Sequence, residues 1–223
     1  MAESKQQILK TVNVNTVLND DSKSYLISKR IMDVILSLIG IILLLPVFVL
    51  ISIIIKIEDY NGSVFFYQER VGKNGRKFNM YKFRSMVSNA EELKATLINE
   101  NEADGPVFKI KNDPRITKIG RVLRKTSLDE LPQLFNVLIG DMSLVGPRPP
   151  LPEEVKLYTD YEKQRLIVIP GLTCYWQIGG RSNISFREWI ELDLKYIRER
   201  NLWIDIKLIL KTVFVLFGSK NAY

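Results

Sequence analysis

The chain has 223 residues, of which 32 are Lys or Arg and 25 are Asp or Glu, so its formal net charge is +7. It has no histidine, which excludes histidine bases, histidine metal ligands and every nucleophile that a histidine activates. Cys174 is the only cysteine, so an intrachain disulfide and a zinc site built from cysteines are excluded as well. The length suits one domain with an appendage.

The N-terminal part combines a polar stretch with an apolar one. Residues 1–24 are mostly polar and show little periodicity, which predicts a flexible leader. An uncharged apolar run follows over residues 34–55. It starts too late and is too long for a secretory signal peptide. As a straight helix it would measure ~33 Å, about the thickness of one hydrocarbon core, so residues 25–58 are predicted to enter a membrane.

Two paths through that membrane are open. The simpler one is a single spanning anchor. Pro46 favours the other, because a proline near the middle of the run removes a backbone hydrogen bond and bends the helix. Each arm of a bent helix would reach only about halfway across the bilayer. Both ends would then stay on the cytoplasmic face as a re-entrant hairpin, and the basic residues that flank both ends do not decide between the two paths.

Residues 59–223 predict a helix-rich α+β domain. A β-branched and aromatic run at 64–67, a turn at 72–75 and polar–apolar alternation at 77–83 predict a β-hairpin. Helices are predicted over residues 88–99, 116–123, 131–139, 153–168, 185–200 and 203–217. Ser185 and Glu188 have capping-box spacing at the start of the fifth. The apolar stripe of the last helix fits either core packing or an anionic membrane surface.

Adjacent carboxylates stand in residues 126–134, TSLDELPQL. Ser127 could cap the following helix, but Pro132 would then break it, so Asp129 is the better N-cap. At that helix tip the Asp129 carboxylate, beside Glu130, could coordinate Mg²⁺ or attack phosphorus. The simpler alternative is that both acids only cap the helix.

Cations follow in two places. Arg148 lies between two prolines in residues 140–149, GDMSLVGPRP, where a pre-set guanidinium suits bidentate contact with phosphate. An incidental arginine in a surface turn is the alternative there. Arg70, Lys82 and Arg84 fall on neighbouring strands of the hairpin, where basic and aromatic residues interleave as in nucleic-acid binders. A solvated hairpin face explains the same pattern.

Taken in order, these segments resemble the bacterial sugar transferases, the monotopic phosphoglycosyl transferases that load a sugar-1-phosphate onto a polyprenyl phosphate. The resemblance covers about residues 25–217. The matching segments are KRxxD at 29–33, QERxG at 68–72, YKFRSM at 81–86, TSLDELPQL at 126–134, GDMSLVGPRP at 140–149, PGLT at 170–173, WQ at 176–177, GRS at 180–182, LD at 192–193 and WxD at 203–205.

The resemblance implies a membrane helix that re-enters near Pro46 and holds Lys29 and Arg30 at the lipid headgroups, with Asp33 in the same motif. It implies that Asp129 is the nucleophile and Glu130 its dyad partner. Mg²⁺ is the implied cofactor, with the same two carboxylates as its ligands.

The remaining site residues follow from the same resemblance. Arg70, Lys82, Arg84 and Arg148 are expected at substrate phosphates. Gln177 and Arg181 are expected at the nucleotide or sugar.

The implied donor is a UDP-sugar, and the implied acceptor is undecaprenyl phosphate at the cytoplasmic face of a bacterial inner membrane. Some relatives carry an N-terminal bundle of four spanning helices, and with only the leader before Tyr25 this chain is expected to be the minimal form. A nucleic-acid partner is not expected, and a homodimer is left open. Neither the sugar nor the glycan pathway can be identified from the sequence, and a membrane-anchored protein that binds RNA or an acidic partner is the competing hypothesis.

Overall fold

The computed structural model describes residues 22–102, 105–108, 110, 112–179 and 184–218. Except for its last three residues, the predicted leader lies outside this part of the chain. The fold is α+β and helix-rich, as predicted. In chain order its elements are α1 Lys23–Glu58, β1 Phe65–Val71, β2 Lys77–Phe83, α2 Ala90–Thr96, α3 Lys118–Lys125, α4 Gln133–Ile139, β3 Ser143–Val145, α5 Pro152–Lys156, α6 Asp160–Lys163, β4 Gly171–Thr173, α7 Tyr175–Ile178, α8 Phe186–Glu199 and α9 Leu202–Gly218.

Helix α1 runs unbroken for 36 residues and contains Pro46. In its most apolar 18-residue window only 17% of the residues are buried, so most of its apolar side chains face outward. Among the described residues, it is the one helix long and apolar enough to cross a membrane. A straight helix of this length would measure ~54 Å, well beyond one hydrocarbon core.

The polar first part of α1 packs against the rest of the domain. Lys29 Nζ donates to a carboxylate oxygen of Asp205 at 3.0 Å, and Asp205 is fully buried. Arg30 donates to two carbonyls in the last turn of α4. Asp33 accepts a hydrogen bond from the Leu144 N–H at 3.0 Å. Both cations therefore contact parts of the domain that are distant in sequence, while the expectation that Lys29 and Arg30 lie at lipid headgroups stays a prediction.

The second half of α1 packs against the same domain through apolar contacts. Phe48, Ile51 and Ile55 are buried in one cluster with Phe83 of β2 and Leu123 of α3. Both halves of the long helix are therefore fixed to one folded unit, which the sequence alone did not indicate.

The predicted β-hairpin is confirmed, with β1 and β2 antiparallel across a short 3₁₀ turn, Lys73–Gly75. The predicted helix over residues 153–168 is wrong. It is divided into α5, α6 and a 3₁₀ turn, Gln164–Ile167, because Thr159 and Glu162 form a capping box that begins a new helix. Strands β3 and β4 lie outside the helices and strands predicted from the sequence.

Strands β3 and β4 pair in parallel. The backbone just after β3 and the backbone at the start of β4 approach each other very closely. A Cβ atom on Gly171 would lie 2.1 Å from the backbone nitrogen of Gly146, so no larger residue fits at position 171 without a shift of the backbone. The pair therefore brings the start of the segment with Arg148 against the start of β4.

The last two helices differ in how they use their apolar residues. Helix α8 begins at the predicted capping box of Ser185 and Glu188 and packs into the core. Helix α9 buries Asp205 and Leu208 but leaves Trp203 and other large apolar side chains exposed. The predicted apolar stripe of α9 is therefore mostly outside the core, which favours the surface alternative.

Candidate active site

Asp129 and Glu130 lie in a 3₁₀ turn, Leu128–Glu130, that directly precedes α4. The preceding Ser127 adopts a left-handed backbone conformation with φ of 56°, which starts this turn. Helix α4 begins only at Gln133, with Pro132 in the N-cap position. The prediction that Asp129 caps α4 is therefore wrong, and the two acids stand on a separate, tighter turn.

The Glu130 carboxylate pairs with two cationic side chains from different parts of the chain. Lys82 Nζ from β2 and Arg148 Nη1 from the loop after β3 both donate to its Oε1 atom, at 2.8 and 3.1 Å. Burial by itself raises the pKa of Glu130, but the charges and hydrogen bonds of Lys82 and Arg148 outweigh it and hold that pKa well below its ordinary value. Glu130 is therefore a carboxylate that stays ionised and fixes two cations.

Asp129 has the opposite environment. It is 6% exposed, and burial raises the pKa of its carboxyl above the ordinary 3.8, with Lys82 acting against burial and Glu130 adding to it. Within the described part of the chain, no hydrogen bond or ion pair occupies its carboxylate oxygens. Two neighbouring acids whose pKa values are pushed apart are the usual sign of divided chemical roles. Asp129 is the acid on which neither oxygen has a partner among the described residues.

The pKa values of the two cations are shifted in opposite directions, although both side chains are buried. Burial is the largest influence on the pKa of Lys82 and lowers it. Burial also acts to lower the pKa of Arg148, but Glu130 and Asp129 raise it above its ordinary value. Arg148 is therefore the cation most firmly held in its charged form beside the two acids.

Arg70 lies behind this cluster and uses its donors on the protein itself. Its Nη1 donates to the Pro149 carbonyl at 3.0 Å, and its Nη2 to Gln68 Oε1 at 2.6 Å. Burial lowers its pKa to about 10, and the charge of Arg148 contributes in the same direction. The geometry makes Arg70 a support of the segment that carries Arg148; its predicted contact with phosphate stays a prediction.

Arg84 is paired with a carboxylate outside this group. Its Nη1 lies 3.0 Å from Asp59 Oδ2, just after the end of α1, and it packs over Gly62, where a Cβ atom would clash with the guanidinium. Its predicted contact with phosphate is not supported by this position. Because Arg70, Lys82 and Arg84 are all mostly buried in such contacts, the hairpin presents neither the solvated cationic face nor the nucleic-acid patch considered for it.

The predicted nucleotide or sugar residues are only partly described. Gln177 is buried and donates to the Leu172 carbonyl at 2.8 Å, which holds α7 against β4. Arg181 lies outside the described residues. Arg124, at the end of α3, was not singled out from the sequence, although its charge lowers the pKa of Asp129. Its position in the last turn of a basic helix directly before the acids was the available signal.

Mg²⁺ fits these residues under one condition. The described residues contain no group of three or more His, Cys, Asp or Glu side chains that could hold a metal ion. Glu130 accepts both of its cation contacts on Oε1, so Glu130 Oε2 and the two oxygens of Asp129 have no described partner and could act as ligands. Because Mg²⁺ is commonly held by one or two carboxylates together with substrate phosphates, the site suits an ion that arrives with a diphosphate.

A free buried carboxylate beside fixed cations is typical of an enzyme that handles phosphate groups. The family model for the bacterial sugar transferases matches residues 24–219, and the chain belongs to that family.

Three relatives illustrate the similarity. The chain is 50% identical to galactosyl transferase CpsE of Streptococcus agalactiae over 89% of its length and 44% of the relative's. It is 38% identical to the exopolysaccharide production protein ExoY of Sinorhizobium fredii over 88% of both chains. It is also 38% identical to the UDP-glucose:undecaprenyl-phosphate glucose-1-phosphate transferase of Xanthomonas campestris, over 99% of its length and 46% of the relative's. The chain thus spans less than half the length of two of these relatives.

Proposed function

We propose that the protein transfers a sugar-1-phosphate from a UDP-sugar to a polyprenyl phosphate in the membrane and releases UMP. The observation that carries the proposal is the pair of acids on one turn, in which Glu130 holds Lys82 and Arg148 while neither oxygen of Asp129 has a partner within the described part of the chain. The name of the Xanthomonas relative gives a UDP-sugar as its donor and undecaprenyl phosphate as its acceptor. The same classes of donor and acceptor suit the present chain.

The proposed chemistry has two displacements at one phosphorus. In the first, an oxygen of Asp129 attacks the sugar-proximal phosphorus, the bond from that phosphorus to the oxygen of UMP breaks, and UMP leaves. In the second, an oxygen of the lipid phosphate attacks the same phosphorus, and the acyl phosphate bond to Asp129 breaks. The carboxylate is regenerated, and the bond between sugar and oxygen stays intact, so the anomeric configuration is retained. The covalent route lets a soluble donor and a lipid acceptor use one small site in turn.

The residues around Asp129 supply positioning and charge. Lys82 and Arg148 are held at 2.8 and 3.1 Å from one oxygen of Glu130, so their positive charges are fixed before any substrate binds. Both substrates and the nucleophile are anions, and these cations offset their mutual repulsion. Mg²⁺, when bound, would add further positive charge across the diphosphate.

The path of α1 supports a re-entrant membrane helix at the cytoplasmic face. A helix that spans a bilayer places its two ends on opposite sides. Here Lys29 near one end is paired with Asp205, and Ile55 near the other end is buried with Phe83 and Leu123, all in one domain. Pro46 lies between these contacts and provides the point at which the helix can bend.

The function is tested with the full chain in nanodiscs that contain undecaprenyl phosphate. A panel of UDP-sugars is supplied, and release of UMP is measured. Formation of lipid-linked sugar phosphate with at least one donor is expected. Absence of UMP release with every donor would contradict the proposed function, and release of inorganic phosphate instead would indicate a lipid phosphatase.

The covalent route has its own test. Without lipid, the protein should release at most about one UMP per active site and then nearly stop, apart from slow hydrolysis of the acyl phosphate. Mass spectrometry of quenched protein should find the phosphosugar on Asp129. Intersecting rather than parallel double-reciprocal lines, with no UMP released in the absence of lipid, would mean direct attack by the lipid phosphate.

The membrane path is tested by labelling. Cysteines introduced as Ser4→Cys and Ser219→Cys should both react with an impermeant thiol reagent from the cytoplasmic side only. Cys174 gives little background because it is fully buried. Labelling of Ser4→Cys from the periplasmic side would establish a spanning anchor.

A further inference from the structure

The segment that carries Arg148 is held along its backbone by the surrounding protein. We call residues 146–150 the arginine loop. Four consecutive carbonyls of this loop each accept a hydrogen bond. They are those of Pro147, from the Gly171 N–H at 2.9 Å; Arg148, from Arg165 Nη2 at 2.9 Å; Pro149, from Arg70 Nη1 at 3.0 Å; and Pro150, from the Val71 N–H at 2.9 Å. The loop is therefore fixed by groups outside it and not only by its prolines.

Arg165 makes the contact closest to the Arg148 side chain. Its side chain is completely buried, and so is that of Asp193. Nη2 bridges the Arg148 carbonyl and Asp193 Oδ2, and Nη1 donates to the Tyr158 hydroxyl at 2.9 Å. A planar guanidinium with several donors can hold these three acceptors at once, whereas a single ammonium group cannot hold all of them at the same positions.

The bridged carbonyl and the functional guanidinium belong to the same residue. Arg148 reaches Glu130 at 3.1 Å with a side-chain nitrogen, while its backbone oxygen is fixed by Arg165. A shift of that carbonyl moves the Cα atom and with it the guanidinium. Misplacement of a positioning group by ~1 Å can reduce a rate by about a hundredfold.

We propose that Arg165 is a positioning residue, which holds the arginine loop through the Arg148 carbonyl and so sets the guanidinium of Arg148 against Glu130. This inference rests on the proposed transferase function. Asp193 of α8 holds the Arg165 guanidinium in place, because it accepts a hydrogen bond from the same nitrogen that donates to the Arg148 carbonyl.

The test is a double-mutant cycle with the full chain in nanodiscs, in which kcat/KM for UMP release is measured. Arg165→Lys keeps a positive charge opposite Asp193 but loses the planar guanidinium and its several donors. In the wild-type background it should lower kcat/KM by about tenfold or more. In the Arg148→Lys background the same change should have an effect of only about twofold or less, because the group that Arg165 positions is already gone.

Arg115 provides a matched control. It is also buried, pairs with Asp113 at 2.6 Å and donates to the Ala90 carbonyl, but it makes no described contact with the arginine loop. If Arg115→Lys lowers kcat/KM, it should do so by the same factor in both backgrounds, since its role is only structural.

The outcomes separate cleanly. Equal factors for Arg165→Lys in the two backgrounds would overturn the inference. If Arg165→Lys does not fold, as judged by loss of a cooperative thermal transition, Tyr158→Phe decides instead, because it removes only one partner of Arg165. Its smaller loss must vanish in the Arg148→Lys background, and no loss or equal losses would overturn the inference. If the wild-type protein releases no UMP from any UDP-sugar, the proposed function itself has failed.

Discussion

Two of the buried groups of opposite charges in the described part of the chain differ in accessibility. In the first, the side chains of Lys82, Glu130 and Arg148 remain between 16% and 29% exposed, and Asp129 stands beside them without a bound partner among the described residues. In the second, Arg165 and Asp193 have no exposed side-chain surface at all.

The difference shows that burial of an ion pair does not by itself mark a reactive site. Buried pairs are often structural, since desolvation offsets much of their attraction. The first group is distinguished by one acid, Asp129, that is not paired with a cation among the described residues. Its other side chains are also partly exposed, so a substrate can approach them. The second is closed, and it can act on the reaction only through the groups that it holds in place.

The comparison predicts the largest effect for Asp129→Asn. The amide keeps the shape of the side chain but removes the charge needed for attack, so turnover should fall by roughly a thousandfold or more, as it does when enzymes lose a nucleophile. UMP release from UDP-sugar measures this. The exposed Asp160→Asn serves as the control and should retain activity. Full activity of Asp129→Asn would mean that this acid, like the second group, has only a structural role.

A smaller effect separates two arginines that the sequence placed together. Arg148→Lys should lower kcat/KM by about 10- to 100-fold, because an ammonium cannot reproduce the directed donors of a guanidinium at a fixed site. Arg84→Lys should cost about threefold or less, because Arg84 pairs with Asp59 away from the acids. A loss at Arg84 as large as that at Arg148 would return Arg84 to the phosphate site.

Neutral replacements of the two acids in the first group should affect the free energy of unfolding differently. At pH 7 Glu130→Gln should lower the free energy of unfolding by about 1–3 kcal/mol, since it leaves two buried cations without their anion. Asp129→Asn should leave stability equal or slightly higher, because the protein raises the pKa of Asp129 and so disfavours its charged form. Denaturant unfolding of the detergent-solubilised variants measures both.

The pH dependence provides the sign check. The pKa of Glu130 in the folded protein lies below its ordinary 4.5, so its stabilisation is complete above that value and is lost as the pH falls below it. The deficit of Glu130→Gln should therefore shrink at pH values under 4.5. A deficit that stays constant into that range would mean that the charge of Glu130 is not what stabilises the site.

A small effect on stability is also expected for the joint replacement Arg165→Met with Asp193→Leu. Exchange of both partners of a buried pair for apolar residues of similar size is often close to neutral, so the free energy of unfolding should change by less than about 1.5 kcal/mol. Turnover should nevertheless fall, because the Arg148 carbonyl loses its donor. Intact turnover in a folded double variant would show that the second group has no influence on the first.

The sequence predicted those elements whose signals are local. The apolar run of α1, the alternation of the hairpin and the capping box of Ser185 and Glu188 each lie within one element, and each is confirmed. The capping box of Thr159 and Glu162 carried an equally local signal, and its neglect produced the wrong long helix.

What could not be predicted depends on partners that are distant along the chain. Strands β3 and β4 have only three residues each, too few for an alternation to be recognised, and they exist through their pairing with each other. The pairing of Lys29 with Asp205 likewise has no local signal in the sequence. The left-handed turn at Ser127 moved Asp129 off the helix, since no sequence rule favours that conformation for serine.

The pairing of Lys29 with Asp205 also constrains the order of events during biosynthesis. These residues are separated by 176 positions, so the amine that leaves the ribosome early waits for a carboxylate that is synthesised near the end. At ~5–20 residues per second, that interval is roughly 9 to 35 s. Throughout it, the Lys29 amine in the first turns of α1 lacks its carboxylate, and the nascent domain cannot close around it until translation of α9 is under way.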